Sequence, residues 1–76
     1  MDTTKCSEFG ATVNDRKGNR LAARRRFRSY AAAREWAQKT STERAVDGAD
    51  VAEIVVLGYA SIGDPKPATR EVTTYP

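Results

Sequence analysis

Seven basic residues lie between Arg16 and Arg28, namely Arg16, Lys17, Arg20, Arg24, Arg25, Arg26 and Arg28, and no acidic residue interrupts them. A guanidinium is a planar fork of donors that grips a phosphate or a carboxylate through two parallel hydrogen bonds. The chemistry this segment offers is therefore recognition of oxyanions. The net charge is +3, yet the rest of the chain holds six basic against ten acidic residues. A mildly acidic body with one concentrated positive element is the electrostatic footprint expected for a polyanionic partner.

Catalytic chemistry finds little support. The chain has no histidine, so the commonest general base is missing, and Cys6 is the only cysteine. Nothing in the spacing suggests a metal site, a cofactor site or a phosphate-cradling glycine loop. The carboxylates Glu35, Glu43, Glu53 and Glu71 are scattered. The expectation is a non-enzymatic binding protein without cofactors. One cysteine excludes an internal disulfide and suits a reducing cytoplasm. The start MDTTKCSEFG lacks the apolar run of a signal peptide, and the apolar stretch from Val51 to Ile62 is too short to span a bilayer.

The elements that must position the arginines follow from periodicity. Seventy-six residues suit a single domain, 1–76, with a core one layer thick. Candidates for that core are Phe9, Val13, Leu21, Phe27, Trp36, Ile54, Val56 and Leu57. Residues 1–5 read as a loose start. After Cys6 the pattern alternates, with Phe9, Ala11 and Val13 on one face of a strand and Glu8, Gly10 and Thr12 on the other. Asn14 to Asn19 supplies the Asn, Asp and Gly of a hairpin turn.

A second strand is expected from Arg20 to Arg28. Strict alternation puts Leu21, Ala23 and Phe27 toward the core and Arg20, Arg24, Arg26 and Arg28 together on the open face. Arg25 then falls on the apolar side, near an edge where its stem can reach water. Ser29 is placed to cap a helix whose buried stripe is Ala33, Trp36, Ala37 and Thr40 and which ends between Thr40 and Val46. Val51 to Ala60 is a β-branched strand with Ile54 and Val56 on one side and Val55, Leu57 and Tyr59 on the other. A loop at Gly63–Pro67 leads to a last strand from Thr69 to Tyr75. The expected class is α+β, a ββαββ antiparallel sheet packed on one helix.

On that expectation the binding residues are Arg20, Arg24, Arg26 and Arg28, flanked by Arg16 and Lys17 in the turn. Tyr59 joins them as an aromatic for stacking on the same face, the arrangement of sheet-based nucleic-acid readers. Alternatively, Val55 and Leu57 on that face are covered by the chain itself or by a second copy in a homo-oligomer.

Two resemblances bear on the partner. The segment from Phe9 to Ala37, with Asp15 to Gly18, Arg24-Arg25-Arg26-Phe27-Arg28-Ser29 and Ala33 before Trp36-Ala37, resembles the arm-binding domains that open phage integrases. That resemblance implies DNA binding by a sheet face, although that family completes a three-stranded sheet before its helix. The chain as a whole, with the helix entry Ser29-Tyr30-Ala31-Ala32-Ala33-Arg34, looks like the small phage-encoded anti-CRISPR proteins. It implies an inhibitor that docks on a nucleoprotein complex. The partner is thus expected to be a protein or nucleoprotein complex, or nucleic acid directly, and not a membrane.

Overall fold

A computed structural model describes residues 6–76; the loose start expected at residues 1–5 lies outside them. Strands β1 (Glu8–Asp15) and β2 (Arg20–Phe27) form a hairpin, helix α1 (Tyr30–Val46) follows, and strands β3 (Val51–Tyr59) and β4 (Thr69–Thr74) complete one sheet. All pairings are antiparallel and the order is β2-β1-β3-β4, so the element order and class are those expected. Strands β2 and β4 are the two edges. Among the described residues no helix is long and apolar enough to cross a membrane.

The hairpin turn is organised by Asp15. Its carboxylate accepts the Lys17 and Asn19 backbone N–H groups at 2.9 and 2.8 Å, and Gly18 supplies the left-handed φ of 86°. Those donors hold the Asp15 carboxyl below its ordinary range, the Asn19 N–H first among them.

Phe9, Ala11 and Val13 of β1 and Ile54 and Val56 of β3 meet the small side chains Ala33 and Ala37 of α1, all of them buried. Burying the larger of these side chains contributes about 1.5–3 kcal/mol each. Ser29 caps the helix as its type predicts: its hydroxyl accepts the Ala32 N–H at 3.1 Å, worth about 1 kcal/mol. The buried stripe is Ala33, Ala37 and Ser41 rather than one ending on Thr40, because the helix runs on to Val46 and keeps a four-residue step. Ser41 satisfies its hydroxyl by donating to the Gln38 carbonyl at 2.7 Å. Trp36 is half-buried and tilts against Phe27, ring centroids 5.8 Å apart. At the helix start, the Tyr30 hydroxyl donates to Glu71 and so ties α1 to β4.

Candidate basic interface

The ladder between β1 and β2 is interrupted twice, and those interruptions decide where each arginine points. Phe9 faces Phe27 but Ala11 faces Arg24, so Gly10 stands opposite both Arg25 and Arg26. Val13 faces Ala22 but Asn14 faces Arg20, leaving Leu21 as the extra residue. Cross-strand partners share a face. Ala22, Arg24 and Phe27 are therefore on the helix side with Val13, Ala11 and Phe9. Arg20, Ala23 and Arg25 are on the open side with Asn14, Thr12 and Gly10.

This corrects the expectation of one arginine face. Alternation assumes an unbroken pleat, and each bulge resets the parity of β2. Arg24 lies on the helix side with its guanidinium 5.1 Å from the centre of the Phe27 ring. Arg26 sits in the first bulge with a φ of 71°, a left-handed backbone that costs an arginine about 1–2 kcal/mol. Arg28 lies beyond the end of the strand, just before the helix cap. What Arg20, Arg24, Arg26 and Arg28 share is the outer edge of the sheet. All four are exposed, as is Lys17, and none is in an ion pair with any described residue.

Arg25 is the opposite case. Its guanidinium pairs with the Glu8 carboxylate, donates to the Asp64 carbonyl and lies 3.4 Å above the centre of the Tyr59 ring. Glu8 is only 4% exposed and also accepts the Gly63 N–H at 3.0 Å. That N–H first, and then Arg25, hold its carboxyl below the ordinary carboxylate value. Gly10 makes room for the arginine stem, since a Cβ there would stand 3.0 Å from Arg25 Cγ and 3.2 Å from the Arg24 carbonyl oxygen. The cluster clamps β2, β1 and the loop of residues 60–68 together.

Two further residues of the expected site are placed differently from the expectation. Tyr59 is 6% exposed beneath Arg25, so its ring offers no free face for stacking. Val55, on the same side, is 3% exposed, so the chain itself covers much of the apolar set expected there. Arg16 is a tie between distant segments: its Nε donates to both Asp50 carboxylate oxygens at 3.0 Å, and its terminal nitrogens reach the Tyr75 and Pro76 carbonyls.

Sequence reasoning missed Glu8 and the exposed Ile62. Glu8 shares the outward parity of Gly10 and Thr12, and Arg25 is the one arginine out of step, so an outward acid beside an out-of-step base was the signal available. Ile62 is 81% exposed and borders, with Ser7, Arg26 and Arg28, a shallow groove of about 400 Å³. The free arginines at that end of β2 thus stand beside an apolar contact point.

Comparison of the chain with protein-family models, with curated proteins and with solved structures returned no match.

Proposed function

We propose that this chain is a non-enzymatic accessory protein that docks through its β2 edge on an extended anionic surface of a nucleoprotein complex, in the manner of the phage-encoded inhibitors it resembles. The observation that carries the reading is the division of the arginines. Arg16 and Arg25 are spent on internal ties, whereas Arg20, Arg24, Arg26 and Arg28 stay exposed along one edge strand, on both of its faces, with no acidic partner among the described residues. An extended strand rises about 3.3 Å per residue, so this set can track an anionic line roughly 20–25 Å long. Ile62 beside Arg26 and Arg28 adds an apolar contact, which favours a protein-bearing surface over bare phosphate. With Tyr59 buried, recognition by base stacking is not part of the proposal.

The test is a comparison of two binding curves. Capture of a nucleoprotein from bacterial lysate, lost when Arg20, Arg24 and Arg28 are all changed to Glu, is the expected result. Binding to naked duplex DNA is expected to be weaker than about 100 μM at low salt. If duplex DNA instead binds tightly, with a log–log salt slope near −3 to −4, the same edge is a direct DNA-binding element. Undiminished capture by the triple variant would remove the edge from consideration.

A further inference from the structure

The opposite edge of the sheet is built for pairing. Strand β4 runs beside β3 in unbroken register from Gly58↔Thr69 to Glu53↔Thr74, with no bulge, proline or lysine to blunt it. The Tyr75 N–H donates to the Ala52 carbonyl at 2.8 Å. Antiparallel hydrogen bonding alternates residue by residue. Tyr75, Thr73 and Glu71 therefore direct their backbone groups toward β3, and Thr74, Val72 and Arg70 direct theirs away from the sheet. Helix α1 packs on β1, β2 and β3. Val72 is 39% exposed and continues an apolar row from its partner Val55.

We propose that β4 pairs antiparallel with β4 of a second copy of this chain, centred on Val72, to give one continuous eight-stranded sheet. The strand's own charges select the register. A two-fold axis perpendicular to the sheet pairs only residues that share a face. Centring on Arg70 sets guanidinium against guanidinium, and centring on Glu71 sets carboxylate against carboxylate. Centring on Thr73 puts Arg70 opposite Pro76, which has no N–H to donate. Centring on Val72 pairs Val72 with itself, Arg70 with Thr74 and Glu71 with Thr73. No like charges oppose, and the outward backbone groups of Arg70, Val72 and Thr74 all find partners, about six hydrogen bonds in total. Strand β2 has no such solution, because its bulges break the ladder and its arginines repel their own copies.

Two short strands bury little area, so the dimer is a weak one, with a Kd of about 10–100 μM. Sedimentation equilibrium on the full chain is expected to show monomer passing to dimer as concentration rises to about 0.5 mM. The register is read by cysteine scanning in a Cys6→Ser background with mild oxidation. Val72→Cys is expected to form a covalent dimer, since a hydrogen-bonded pair holds its Cα atoms about 5.5 Å apart, within disulfide reach. Thr73→Cys alone is expected not to, whereas Glu71→Cys mixed with Thr73→Cys gives the crossed dimer. Val72→Pro deletes one outward N–H and no bond to β3, so it is expected to abolish the dimer with an unchanged circular dichroism spectrum. A chain monomeric throughout overturns the proposal, as does crosslinking by Thr73→Cys as ready as by Val72→Cys. Should Val72→Pro fail to fold, the cysteine series still decides.

Discussion

Strand β2 carries four arginines in eight residues and breaks its pairing with β1 twice, whereas β4 carries one arginine in six residues and pairs with β3 without interruption. Both are edges of the same sheet, and both must avoid indiscriminate strand pairing. Charge and bulges make β2 a poor template for other strands and leave Arg20, Arg24 and Arg26 exposed as cations. Regular β4 keeps its backbone groups available. On the two proposals made above, the edges divide recognition between a side-chain surface for anions and a backbone surface for a strand.

The contrast between the two edges depends first on the clamp that holds β2 in its bulged form. Arg25→Ala strands the buried Glu8 carboxylate and uncovers Tyr59, and a fall in Tm of about 5–10 °C is expected by calorimetry. Glu8→Gln should act in the same direction and also change the pH dependence. The folded chain holds this carboxyl more acidic than the unfolded chain does. Its stabilisation is therefore complete above the ordinary value of 4.5 and drains away as pH falls through the lower folded value. In Glu8→Gln the acid limb of the Tm–pH profile should flatten, with the share due to Asp15 remaining. A variant as acid-sensitive as the parent would show that Glu8 is not held as described.

At the other edge the vulnerable point is Gly58, where a Cβ would overlap Thr69 Oγ1 and stand 2.7 Å from Cys6 Sγ. Gly58→Ala is expected to cost about 1–3 kcal/mol in urea unfolding by pushing β4 from β3. Adding Thr69→Ala should recover part of that loss. If the double variant is no more stable than the single, the crowding lies elsewhere than at the β4 edge.

Most of the frame was legible because burial imposes a period. Phe9, Ala11 and Val13, then Ile54 and Val56, alternate as a half-buried sheet requires, and Ser29 before an alanine run marks a helix start. The second strand departs from strict alternation for a physical reason. A bulge adds a residue without changing composition, so nothing in the run Arg24-Arg25-Arg26 marks where parity resets. The out-of-step Arg25 was the only visible sign, and an arginine at an edge explained it equally well. Its true partners, Glu8, Tyr59 and the loop at Gly63–Asp64, come together only through the order β2-β1-β3, which periodicity does not contain. The burial of Tyr59 follows from the same clamp and was hidden with it.

The finest distinction between the edges rests on one backbone angle. Arg26 holds a left-handed φ of 71° inside the β2 bulge, and β4 has no counterpart. Relieving that angle with Arg26→Gly removes about 1–2 kcal/mol of strain, while the freer unfolded chain takes back about 0.4–1 kcal/mol. The expected net change in folding stability is thus a gain of between about 0 and 1.6 kcal/mol. Arg26→Val keeps the angle and adds a β-branched side chain that resists it, so a loss of about 1–2 kcal/mol is expected. The same pair made at Arg24, in the regular part of the strand, should reverse the order, valine exceeding glycine. Urea titration of the four variants measures this directly. If valine proves the better residue at both positions, position 26 is extended in solution. The register that sets Arg24 on the helix side and Arg25 over Tyr59 would then fail with it.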